Sequence, residues 1–188
     1  MRMLPALSFS RYNRAMDIAV WSDPETLPRH RGELIWPGRR VPCALGRAGL
    51  NPDKREGDAA TPVGRFPLRR VLYRADRLTL PNIALPASVI EPSSGWCDDP
   101  NDKAYNRQVL LPHKGGHEHL WRLDHLYDVI VVIGHNDAPI RRGYGSAVFL
   151  HVAAPDYAPT EGCVAIAVND LIELLVAAKL GDELIVAG

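Results

Sequence analysis

No apolar run in the chain is long enough to cross a bilayer as a helix. It also lacks net charge: 22 basic residues face 22 acidic ones. That balance argues against a broad nucleic-acid-binding surface, which needs a basic excess. There is no internal repeat, low-complexity tract or interdomain linker, so 188 residues make one ordinary domain. Cysteine is scarce. Three residues, Cys43, Cys97 and Cys163, cannot all pair, which leaves at least one free thiol even if Cys43 and Cys97 form a disulfide. The first residues lack the form of a secretion signal, because the apolar stretch is short, broken by Pro5 and soon followed by Arg11 and Arg14. A start at Met16 would lead straight into the first strand.

Metal-site spacing is absent too. His113, His117, His119 and His125 have no second ligand group at zinc-site spacing and read as solvated or locally bonded loop residues. The acidic segment from Trp96 through Cys97 to Asp102 misses the EF-hand pattern and its closing glutamate.

What is present points to a β architecture. Sixteen prolines and fifteen glycines punctuate a chain that is 46% hydrophobic and 23% charged, a globular composition rich in turns. β-Branched stretches bounded by Gly, Pro or Asp predict strands over Asp17–Trp21, Gly32–Trp36, Val41–Leu45, Phe66–Tyr73, Tyr127–His135, Ala147–Val152, Cys163–Ala167 and Glu183–Val186. One helix is expected over Asp170–Lys179, capped by Asn169 and stopped by Gly181. Residues 86–122 lack periodicity and read as a long surface excursion, placed to wall a cleft.

Chemistry concentrates near the C-terminus. His151 ends an apolar stretch, and Cys163 opens another after the turn Thr160-Glu161-Gly162. With two prolines and a glycine between them, the chain is expected to reverse and bring thiol and imidazole together at adjacent strand ends. A cysteine becomes a nucleophile when a nearby base or cation lowers its pKa. Free cysteine is also a common core residue, and on spacing alone both readings stand. The loop-to-strand junction is where reactive groups are usually presented.

The strand ending in His151 and the later Thr160-Glu161-Gly162-Cys163 element resemble the signature of the L,D-transpeptidase (YkuD-like) catalytic domain. A second segment agrees with it: the charged loop Lys54-Arg55-Glu56-Gly57-Asp58, followed by Thr61-Pro62-Val63-Gly64-Arg65-Phe66. The resemblance spans residues 17–188 and leaves 1–16 as an N-terminal extension. It implies a mainly β, L,D-transpeptidase-type β-sandwich with one C-terminal helix.

The same resemblance implies a role for each matching residue. Cys163 would be the nucleophile, His151 the general base and the Val152 carbonyl the group that orients the imidazole. Backbone N–H groups around Gly162 and Cys163 would form the oxyanion hole. Arg55 would hold a stem carboxylate. Trp96, Tyr105, Asn106, Trp121 and His135 are groove candidates by position, and Thr160 and Glu161 flank the nucleophile. Three features depart from the family pattern: Glu161 stands where relatives carry His, Ala165 where they carry Arg or Asn, and the His-to-Cys loop is short.

The implied reaction is acyl transfer between peptidoglycan stem peptides through a cysteine thioester, a step in cell-wall synthesis needing no metal or organic cofactor. Water as acceptor would make an L,D-carboxypeptidase. An unrelated cysteine hydrolase and a catalytically silent binding module are the rival classes. A peptidoglycan substrate implies a cell-envelope location, whereas the lack of a signal leaves a cytoplasmic role on soluble precursors open.

Overall fold

The computed structural model describes residues 15–187 except 24 and 26, so nearly all of the N-terminal extension, on which the expectation about a secretion signal falls, lies outside the described residues. Among these, the elements run β1 (Asp17–Trp21), β2 (Arg31–Trp36), β3 (Arg39–Ala44), β4 (Leu50–Asn51), β5 (Thr61–Pro62), β6 (Gly64–Tyr73) and β7 (Ala87–Val89). There follow β8 (Ser94–Cys97), β9 (Gln108–Leu110), β10 (His117–His119), β11 (Val129–Ile133), β12 (Phe149–Val152), β13 (Val164–Ile166), α1 (Val168–Ala177) and β14 (Glu183–Ala187). The fold is mainly β.

The large sheet runs β11-β12-β13-β3-β2-β1-β14-β6, and β6 pairs with β11 as well. This closes the strands into a barrel-like sandwich, with β7 added in parallel outside β6. The length of β6 allows the closure: Gly64–Pro67 pair with β14, and Leu68–Tyr73 pair with β11.

Side-chain alternation explains where the core sits. Ile18 and Val20, Leu34 and Trp36, and Leu184 and Val186 all point into the barrel. Strand β11 is apolar throughout because it separates two cores. Val129, Val131 and Ile133 face the barrel, while Ile130 and Val132 face a second cluster with Trp96, Leu120, Tyr127, Phe149 and Cys163.

Several boundaries differ from expectation. The region 86–122 is not structureless: β8, flanked by β9 and β10, forms a three-stranded antiparallel sheet over the second core. Helix α1 begins two residues early, at Val168, with Ala167 as its N-cap and no side-chain cap bond. Asn169 therefore lies inside the first turn, and Lys179 falls beyond the last. Leu171, Leu174 and Leu175 fix the buried face of α1, so packing sets its position. Ala147 has φ +50°, a left-handed conformation that keeps it out of β12. Strands β12 and β13 are parallel, so the His-to-Cys loop is a crossover and not a simple reversal. All three cysteines are free, which removes the Cys43–Cys97 disulfide.

Candidate functional site

Parallel pairing sets the central geometry. His151 pairs with Ala165, so both point to the same face of the sheet. Cys163, two residues before Ala165, shares that face. Both His151 and Cys163 line one cavity of about 430 Å³. Cys163 sits beside Phe149, whose N–H donates to the sulfur at 3.3 Å, while the thiol donates to the Ala147 carbonyl at 3.2 Å. The His151 Nδ1–H donates to the Val152 carbonyl at 2.9 Å, and Tyr127 packs edge-on with ring centroids 5.3 Å apart.

Burial sets the charge state. It pushes the Cys163 thiol up to about 12, assisted by nearby Glu118 and opposed by the Phe149 N–H and by Lys54. Burial also pulls His151 down to about 4, against the carbonyls of Val152 and Leu126. The pair is therefore neutral across the physiological range, and the low thiol pKa expected of an activated cysteine is not found in the resting state.

The turn before Cys163 is held from two sides. Thr160 Oγ1 donates to the Cys163 carbonyl at 2.7 Å and accepts from the Gly162 N–H at 3.2 Å. Thr61, fully buried, donates to the same carbonyl at 3.3 Å and accepts from the Gly46 N–H at 2.8 Å. The two sequence motifs thus meet: the threonine of the Thr-Pro element buttresses the cysteine. Gly162 has φ +141°, and a Cβ there would lie 2.9 Å from the Ala60 carbonyl oxygen. Only glycine fits without strain.

The remaining predicted residues divide. Thr160 and Glu161 line the cavity, but Glu161 is exposed and ion-paired with Arg47. Arg55 does not line it; its guanidinium stacks 4.2 Å over Tyr144 and pairs with Asp53. Trp96 is buried against Phe149 and donates to Asn106 Oδ1 at 3.0 Å. Asn106 uses its amide on the His135 and Asn136 carbonyls and accepts from the Ala147 N–H. Tyr105 is buried with its hydroxyl on Glu56. Trp121 lies under the Arg74 guanidinium, at 3.5 Å. His135 bonds the Tyr144 carbonyl and faces a separate, larger cavity of about 610 Å³, together with Trp96 and Asn106. That cavity contains neither His151 nor Cys163, so these residues support the site wall from behind.

Other cavity residues escaped the sequence reading. Lys54 is buried, pairs with Asp58 and donates to the Arg55 carbonyl at 3.0 Å. Burial alone would raise the Asp58 pKa, but the bonds from Lys54 and from the Arg55 and Ala60 N–H groups hold it below its ordinary value. Glu118 accepts from the Tyr127 hydroxyl at 2.6 Å, and burial raises its pKa. Glu56, Arg122 and Ser146 complete a polar rim. No local pattern marks these residues, because separate segments bring them together. The excursion's histidines were expected to be solvated or locally bonded, but the ring of His113 gathers with Cys97 and Asp102, their ligand atoms within 4.8 Å of one another.

A family model described as the L,D-transpeptidase catalytic domain, YkuD, matches residues 25–186. No curated protein sequence matches the chain. Among solved structures, it is similar to L,D-transpeptidase 1 from Mycobacterium tuberculosis, with 15% identity over 93% of this chain and 62% of that one, at a TM-score of 0.40. An L,D-transpeptidase from Mycobacterium smegmatis gives 15% identity over 92% and 59%, at a TM-score of 0.39. The chain spans about three-fifths of the length of those structures.

Proposed function

The chain belongs to the YkuD family of L,D-transpeptidase catalytic domains, and from that membership we propose that it cross-links peptidoglycan stem peptides by acyl transfer, with Cys163 as nucleophile and His151 as general base. The observation that carries this reading is the placement of both side chains on one face of parallel strands, in one cavity, with the imidazole Nδ1 fixed by Val152.

With Nδ1 engaged, Nε2 is the nitrogen left to exchange a proton. It takes the thiol proton as sulfur attacks the carbonyl of an L,D-peptide bond in the donor stem. The developing oxyanion is met by the Cys163 N–H and by the Gly162 N–H, which exchanges its 3.2 Å bond to Thr160 for the new acceptor. Imidazolium then protonates the departing amine, leaving a thioester on Cys163. A side-chain amine of a second stem attacks the thioester, His151 accepts its proton, and the thiol is regenerated with the new amide bond. General acid–base help of this kind contributes roughly two to four powers of ten in rate. Such a substrate would put the working enzyme in the cell envelope.

Mass spectrometry of muropeptides after incubation with the protein, beside a Cys163→Ala control, tests this reading. Cysteine-dependent dimers are expected. Cysteine-dependent trimming without dimers would make it an L,D-carboxypeptidase, and no change on tri- and tetrapeptide stems would point to another acyl substrate or to a silent module.

A further inference from the structure

Away from the cavity, the excursion gathers three metal-binding side chains at one point. Cys97 ends β8 as a fully buried free thiol, Asp102 lies in the following turn, and His113 lies between β9 and β10. Their ligand atoms all fall within 4.8 Å of one another. His113 Nε2 lies 3.2 Å from an Asp102 oxygen, Oδ2, yet it is closed to solvent and makes no hydrogen bond. A buried imidazole nitrogen without a partner is costly. The two atoms pair directly only if His113 is protonated; with a neutral imidazole they stand close enough to share one cation. Two ligands on a tetrahedral zinc ion, each at about 2.0–2.1 Å from the metal, stand about 3.3 Å apart. The pair already has that spacing.

The surroundings are shaped for the same purpose. The other Asp102 oxygen accepts from the Ala104 N–H at 2.7 Å, which fixes the carboxylate and leaves Oδ2 toward His113. A Cβ at Gly115 would fall 2.8 Å from Oδ2, so the absence of a side chain there lets the loop close over the carboxylate.

We propose that Cys97, Asp102 and His113 bind one Zn²⁺ ion, with water completing the tetrahedron. Thiolate with imidazole selects zinc over calcium or magnesium, which take oxygen ligands. On binding, Cys97 releases its thiol proton to solvent and forms a Zn–S bond, with no change of oxidation state. The ion clips the turn after β8 to the segment before β10. That turn leads directly to Tyr105 and Asn106, which hold Glu56 and Ala147 beside the cavity. The zinc is a structural clip for the cavity wall and takes no part in acyl transfer.

The test uses the full chain carrying Cys163→Ala, so that the cavity's own Cys–His pair cannot compete for metal. After chelator treatment, zinc is titrated against a chromophoric chelator. One equivalent is expected to bind, and Cys97→Ser and His113→Ala should each weaken binding by more than about a hundredfold, beyond the loss of a supporting outer group. Cobalt(II) bound to the same chain should give an intense sulfur-to-metal absorption band, a readout that needs no ligand variant to fold. Zinc should also raise the melting temperature. Failure to bind zinc, binding that both variants retain, or a cobalt spectrum without the sulfur band would each overturn the proposal.

Discussion

Cys163 rests as a thiol. Burial pushes it up to about 12 while pulling His151 down to about 4, so neither carries charge near neutrality. In the proposed reaction the proton therefore moves as sulfur attacks, and no thiolate accumulates beforehand. Iodoacetamide at pH 7.5 should alkylate Cys163 more slowly than a free cysteine in a short peptide, and Glu118→Gln should speed it by removing a neighbouring negative charge. Wild-type alkylation as fast as the peptide would contradict the neutral pair. His151 and Cys163 were legible in the sequence because apolar stretches flank both. Lys54 and Glu118 were not: Lys54 is buried with partners in its own charged loop, Asp58 and the Arg55 carbonyl, where a run of charges reads as solvent-facing, and Glu118 is held by the Tyr127 hydroxyl of another segment. Glu161, two residues before the cysteine in sequence, turns out to Arg47, and the left-handed Gly162 that follows redirects the chain toward the cavity.

At the scale of elements, the site depends on how short segments meet. Thr61 in β5 joins the Gly46 N–H to the Cys163 carbonyl through one buried hydroxyl. Thr61→Val should cost about 1–3 kcal/mol, the price of leaving buried groups without a partner. Urea unfolding checks this, and an unchanged midpoint would show that Thr61 does not hold the turn. The long strands were legible from β-branched runs, and β1 matches its expected bounds, Asp17–Trp21. The excursion's sheet was not, since β8, β9 and β10 have only three or four residues each, too few to show a period. The parallel pairing of β12 with β13 is likewise a matter of tertiary register, which no local pattern encodes.

For the whole molecule, the two-core arrangement makes stability depend on pH through His151, which is buried beside the second core. Its folded pKa, about 4, lies below the ordinary 6.5. Between these values the unfolded chain binds a proton that the folded chain refuses, so stability falls as pH falls through the window and is unaffected by this group above 6.5. From pH 6.5 to 5 the wild type should lose roughly 1.5 kcal/mol more than His151→Gln, since the slope grows to about 1.4 kcal/mol per pH unit only below the unfolded pKa. Urea titrations at the two pH values measure it, and parallel losses in both proteins would remove His151 as the cause.

The proposed reaction requires a covalent acyl-enzyme on Cys163. Intact-protein mass spectrometry, with the protein mixed with a tetrapeptide muropeptide and quenched in acid, tests it most directly. A mass increase equal to the muropeptide less its terminal D-alanine is expected, mapped by digestion to Cys163 and absent from Cys163→Ala. Cross-linked or trimmed product from Cys163→Ala, or an adduct mapped to another residue, would contradict it.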